Sequence, residues 1–184
     1  FRSHGTDCRR EPWQFESGNP VPEQSGVPEE PCYEAILSAI RGRYRLLPYI
    51  YSLAGAVWRE NGTMMRPLVF DFPREKKAAG IMDEYMFGPA LLVCPITEPM
   101  EGREAVRTVY LPAGTDWYDF YTEERYEGGR ELTARVGIDH IPVYVKAGSI
   151  LPVMEPGEST AEMEGREILL QVYAGADGSF TLYE

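Results

Sequence analysis

Acidic side chains are the first candidates for chemistry, because two carboxyl groups placed across one bond can perform glycosidic acid–base and nucleophilic work. The chain has seven aspartates, Asp7, Asp71, Asp83, Asp116, Asp119, Asp139 and Asp177. None of them lies in a recognisable catalytic setting, so turn caps and solvated strand edges are the expected roles. The GxSxG, HExxH, Walker and GxGxxG patterns are also absent. The sequence therefore predicts no catalytic residue within this chain.

His4 is a more specific candidate, since the chain has only two histidines. It lies in the run Arg2-Ser3-His4-Gly5, which reads as a short extended segment. Glycine beside it permits close backbone approach, and Arg2 shares its face if the segment is a strand. A ligand contact and a satisfied structural histidine both remain compatible with this pattern. His140, ahead of a strand, is predicted to cap a turn.

Composition excludes several classes of protein. The 184 residues carry 18 Lys and Arg against 29 Asp and Glu, a net charge of −11, which disfavours nucleic acid and anionic membrane surfaces. No apolar run reaches the roughly 18 residues of a membrane span. Three cysteines without a CxxC pair predict neither a disulfide framework nor a zinc site.

One long helical pattern dominates the first third of the chain. Residues 1–31 are rich in Gly, Pro, Ser and charge, which is typical of an irregular connection. From Tyr33 to Asn61, apolar residues recur at steps of three and four, as in an amphipathic helix. Pro48 in its interior predicts a kink or a break into two helices, and Asn61-Gly62 is a suitable stop. The apolar face of this helix needs a covering layer.

The rest of the chain reads as short strands between Gly- and Pro-containing turns, the pattern of an antiparallel β-sandwich. The predicted strands are Met64–Phe72, Leu91–Ile96, Val106–Leu111, Trp117–Tyr121, Glu131–Ala134, Ile141–Val145, Ile168–Tyr173 and Phe180–Tyr183. The polar stretch 155–166 is predicted to be a linker. The fold class is thus mainly β with a helical N-terminal part.

Four aromatic residues, Trp117, Tyr118, Phe120 and Tyr121, lie close together in one predicted strand. Strand alternation places Trp117 on one face and Tyr118 with Phe120 on the other. Apolar residues on both faces favour packing between two layers over a platform on which sugars stack.

An ordered series of blocks gives the chain a family resemblance. FRSHG with REPW is followed by RGRYRLLPYIYSLA, MMRPLVFDFP, YMFGPALLVCPI, VYLPAGTDWYDFY with GGR, IPVYVKAGSILP and VYAGADGSFTLYE. The series resembles the C-terminal part of glycoside hydrolase family 31, the α-glucosidase and α-xylosidase family. It runs through nearly the whole chain, and MMRPLVFDF with FRSHG leans slightly toward the xylosidases.

The resemblance implies an architecture. Residues 1–62 would be the end of a catalytic (β/α)8 barrel, with a late strand, its loop and the last helices. Residues 63–154 would form the proximal C-terminal β-sandwich, and residues 155–184 a linker and the start of the distal one. The chain starts at Phe1 without an initiator Met and ends in a predicted strand, so we expect a segment of a longer protein.

The resemblance also assigns roles. His4 would bind a hydroxyl of the substrate sugar at the end of a barrel strand, with Arg2 supporting it and the loop Asp7–Trp13 forming part of the site wall. The two catalytic aspartates of the family precede this segment. The mechanism of the family is retaining double displacement, without a metal or organic cofactor.

The expected partners are an oligosaccharide substrate and the rest of the parent barrel, with neither nucleic acid nor membrane. A homo-oligomer is compatible with the sequence, and a cytoplasmic location is favoured by the few cysteines. The alternative is a non-catalytic carbohydrate-binding or structural β-sandwich module. Preference between glucoside and xyloside is left open.

Overall fold

The structure, a computed structural model, describes residues 29–99 and 104–183. Its elements, in chain order, are α1 (Glu29–Arg45), α2 (Leu47–Glu60), β1 (Met65–Pro67), α3 (Leu68–Asp71), a 3-10 turn (Ala78–Gly80), β2 (Tyr85–Phe87), β3 (Leu91–Val93), β4 (Ala105–Leu111), β5 (Asp116–Asp119), β6 (Arg125–Glu127), β7 (Arg130–Val136), β8 (Val143–Lys146), β9 (Ile150–Met154), α4 (Thr160–Met163) and β10 (Ile168–Val172). The prediction of a mainly β protein with a helical N-terminal part is confirmed. Among these elements, no helix is long and apolar enough to cross a membrane.

The long helical pattern forms two helices, as the proline predicted. Only Leu46 separates α1 from α2, and Pro48 is the second residue of α2, where its missing N–H removes no bond that the helix needs. The second helix ends at Asn61, which adopts the left-handed conformation with φ 55° and bonds back to the carbonyl of Ala56.

The central sheet has six strands in the order β1-β2-β3-β8-β5-β6, and all of its pairings are antiparallel. Two antiparallel pairs accompany it, β4 with β7 and β9 with β10. Short turns join β2 to β3 and β5 to β6, and a connection of that length permits only antiparallel pairing.

Two hydrophobic cores lie on opposite faces of the central sheet. Leu91 and Val93 of β3 belong to the core that includes Tyr49 and Leu53 of α2 and Leu151 of β9. The alternate side chains build the other core, against β4: its members include Leu92, Met86, Val109, Leu111 and Trp117. The period-two alternation of the strands thus serves two layers at once.

Several strand predictions are wrong in part. The predicted strand Met64–Phe72 is β1 followed by the short helix α3, because Pro67 cannot extend the ladder and the Arg66 guanidinium closes the turn onto the Asp71 carboxylate at 2.7 and 2.8 Å. Strands β2, β6 and β9 were not predicted. Residues 180–183 form no strand, and the predicted linker contains α4, whose Met163 is buried.

Candidate functional site

The two residues predicted to bind substrate, Arg2 and His4, lie outside the described residues, as does the loop Asp7–Trp13. What the structure describes is the framework that follows them: the helix pair and the sheets.

Three aspartates of the described part serve local structure. Asp71 pairs with Arg66, and Asp116 pairs with Arg125, whose Nε lies 3.0 Å from the carboxylate. One oxygen of Asp119 accepts hydrogen bonds from two successive backbone amides in the turn after β5, both at 2.8 Å. Within residues 29–99 and 104–183, no three His, Cys, Asp or Glu side chains are grouped to hold a metal ion.

Glu84 is the buried acid of this framework, with 4% of its surface exposed. Its Oε1 accepts a hydrogen bond from the amide of Tyr110 at 2.8 Å and one from Arg107 at 3.3 Å. Its Oε2 is buried and has no hydrogen-bond partner within the described part of the chain. Arg107 also binds Asp83 at 2.9 Å, so it is shared between two carboxylates.

Burial raises the pKa of Glu84 to about 8, and the nearby charge of Arg107 lowers it by less. A carboxyl with that pKa is largely protonated at neutral pH. An acid of this kind can donate a proton, but its neighbours are strands of the sandwich and a cavity of about 480 Å³ with walls that include Met65, Ile81 and Pro95. The cluster links the residues just before β2 to β4, and no sequence pattern indicates Glu84.

Tyr49 connects α2 to the central sheet. Its hydroxyl donates to the carbonyl of Phe87 at 2.7 Å and accepts from the amide of Ala90 at 3.2 Å, while its ring meets that of Phe87 edge-on, with centroids 5.9 Å apart. Burial raises the pKa of this hydroxyl, which keeps it protonated and able to donate. The two hydrogen bonds and the ring contact attach α2 to β2 and to the turn after it.

A large, mostly apolar cavity of about 810 Å³ separates α1 from the central sheet. Its walls include Ile36, Ala39, Leu46, Phe87, Phe120 and Ile141. Apolar walls suit packing of another apolar segment better than binding of a polar substrate. On α2, Tyr51 and Trp58 are exposed, at 57% and 80%, so the helix pair is only partly covered by its own sheets.

Residues 29–99 and 104–183 thus define the class of fold, a helix pair docked on antiparallel sheets. The family model of the glycosyl hydrolase family 31 C-terminal domain matches residues 61–151, and the model of the family 31 TIM-barrel domain matches residues 1–53. The chain belongs to glycoside hydrolase family 31.

Individual relatives agree with the family models. An α-xylosidase of Saccharolobus solfataricus is 42% identical over 100% of this chain and 23% of its own length. Human neutral α-glucosidase C is 39% identical over 97% of the chain and 18% of its own. The crystal structure of an α-xylosidase from Xanthomonas citri superposes with a TM-score of 0.86 at 43% identity, covering 100% of this chain and 19% of that one. The chain thus spans about a fifth of the length of these relatives.

Proposed function

We propose that this chain is the C-terminal segment of a retaining, exo-acting α-glycosidase that releases terminal α-linked glucose or xylose from oligosaccharides. The observation that carries the proposal is the 42% identity to an α-xylosidase along the entire chain. The similarity to an α-glucosidase at 39% identity supports the same chemistry and leaves the choice of sugar open.

Within that enzyme, His4 binds a hydroxyl of the sugar to be cleaved and Arg2 holds the strand end beside it. The nucleophile and the acid/base are two aspartates upstream of this segment, and the reaction runs through a covalent glycosyl-aspartate without a metal or organic cofactor. Residues 1–62 complete the barrel, residues 63–154 form the proximal sandwich, and residues 155–184 begin the distal one. The few cysteines favour a cytoplasmic location for the enzyme.

The sandwich has a supporting role in this proposal. The hydrogen bonds of Tyr49 to the backbone of β2 and of the β2–β3 turn anchor α2, and α2 continues α1 after a single residue. The segment that carries His4 precedes α1 in the chain. The sheets therefore hold the helices through which the barrel end is attached, and the isolated chain is expected to be inactive.

The test uses the whole protein with 4-nitrophenyl α-glucoside and α-xyloside as substrates. His4→Ala is expected to lower kcat/KM roughly thirtyfold, because a hydroxyl contact is lost in the transition state. That factor corresponds to about 2 kcal/mol of transition-state stabilisation. Proton NMR of the first product should show the α-anomer. Arg74→Ala, at an exposed position of the sandwich, is the control with unchanged kinetics. Normal kinetics of His4→Ala would contradict the role of His4, and a β-anomer would contradict the mechanism.

A further inference from the structure

Tyr121 behaves differently from the aromatic residues that precede it in the chain. Trp117 is fully buried in one core, and Tyr118 and Phe120 pack against the other, as the alternation predicted. Tyr121 is 50% exposed. The backbone amide of Tyr121 donates a hydrogen bond to the Asp119 carboxylate at 2.8 Å. The exposed ring is therefore carried by a turn whose backbone is held in place.

His140 lies beside this ring, with centroids 4.7 Å apart and planes inclined at 54°. Its Nδ1 is 3.0 Å from the Asp139 carboxylate. The other ring nitrogen, Nε2, has no hydrogen bond within the described residues. The Tyr121–His140 pair combines an aromatic face with a polar edge.

The pair opens onto a cavity of about 290 Å³ between the central sheet and β7. Its walls also include Asp119, Tyr126, Thr133 and Arg135. Both hydrogen bonds of the Asp119 carboxylate go to Oδ1, and Arg135 makes no hydrogen bond or ion pair within the described part of the chain. Acceptors, donors and aromatic rings thus line one space, close to the lower end of the size range of small-molecule sites.

We propose that this cavity is a second, non-catalytic carbohydrate site, in which a neutral sugar ring stacks on Tyr121 and bonds to His140 and Arg135. A sugar has an apolar ring face and hydroxyls that both donate and accept, which matches these walls. Charges of both signs line the cavity, and the net charge of −11 opposes an anionic ligand. The choice of carbohydrate among neutral polar ligands rests on the proposed function.

Saturation-transfer difference NMR of the full chain tests the proposal, with glucose, xylose and maltose as probes. At least one probe is expected to receive saturation at its ring protons. Tyr121→Ala should weaken binding roughly tenfold, since the stacking face is lost. Tyr51→Ala, which removes an equally exposed tyrosine on α2, should leave binding unchanged.

A second pair of variants keeps the test independent of folding. Arg135→Ala removes an exposed side chain and should weaken binding severalfold, whereas the exposed Arg74→Ala should not. Absence of saturation for all three probes, or unchanged binding of both Tyr121→Ala and Arg135→Ala, would overturn the proposal. Binding that depends on His4 but not on Tyr121 would also overturn it, while leaving the proposed barrel subsite intact.

Discussion

The hydroxyl of Tyr49 occupies the space in which a side chain at Gly88 would lie. A Cβ built on Gly88 would overlap that hydroxyl and approach Cδ2 of Leu53 to 2.7 Å. Gly88 also has φ +62°, in the left-handed region. The turn between β2 and β3 and the first turns of α2 therefore fit together only with glycine at this position.

Gly88→Ala is expected to destabilise the protein through both effects. The left-handed conformation costs a non-glycine residue about 1–2 kcal/mol, and overpacking against the buried Tyr49 adds about 1–3 kcal/mol. Urea unfolding followed by circular dichroism measures the change. Gly114→Ala is the matched control, because Gly114 has φ +85° but open space around its Cβ. Equal losses in the two variants would refute the packing contribution.

Tyr49→Phe removes the hydroxyl and leaves two backbone groups, the Phe87 carbonyl and the Ala90 amide, without this partner. We expect a loss of about 1–3 kcal/mol in the free energy of unfolding, because buried polar groups lose their hydrogen bond. Tyr51→Phe, on the exposed face of the same helix, should change the free energy by less than about 0.5 kcal/mol. An unchanged free energy of unfolding in Tyr49→Phe would mean that the attachment of α2 to the sheet depends on ring packing alone.

Trp117→Phe tests the core between the central sheet and β4. The indole is fully buried and its Nε1 donates to the Pro112 carbonyl at 2.9 Å, so the variant creates a cavity and removes a buried hydrogen bond. The expected cost is about 2–4 kcal/mol of unfolding free energy. Trp58→Phe, where the indole is 80% exposed, is the control and should be near neutral. Similar effects of the two variants would contradict the assigned packing.

Glu84 is expected to make stability depend on pH. Burial raises its pKa from 4.5 to about 8, so the folded state keeps a proton that the unfolded state releases between these values. The free energy of unfolding therefore falls as pH rises from 4.5 to 8, by about 2 kcal/mol after allowance for partial screening.

Glu84→Gln keeps an acceptor for the Tyr110 amide and removes the titration, so its stability should be flatter over this range. Urea titrations at pH 5, 6.5 and 8 compare the two proteins, with Glu167→Gln as an exposed control. Parallel pH profiles of the wild type and Glu84→Gln would show that Glu84 is ionised throughout.

The sequence patterns predict the helices, strands and buried faces better than they predict the polar contacts between these elements. The helix break at Pro48 and the burial of Trp117 follow from backbone chemistry and from period-two alternation, both of which are local properties. The strand signals of β2, β6 and β9 are weak, because β2 and β6 are three residues long and are followed by glycine, and β9 contains Pro152.

The hydrogen bonds between these elements connect residues that are distant in the chain. Glu84 meets the amide of Tyr110 across 26 positions, and Tyr49 meets Phe87 across 38. No local pattern encodes such a pairing, and a single glutamate ahead of a short strand reads as solvent-exposed. The predicted roles of His4 and Arg2 rest on the family resemblance, and they remain predictions.

The way in which Tyr49 is held has an evolutionary consequence. Its hydrogen bonds end on main-chain atoms at positions 87 and 90, which every amino acid can offer, apart from proline at the donor position 90. Polar attachment of the helix therefore tolerates sequence drift at these two places. Position 88, by contrast, is expected to remain glycine, because its positive φ and the close Cδ atoms of Leu53 disfavour a Cβ there even with a smaller aromatic residue at position 49.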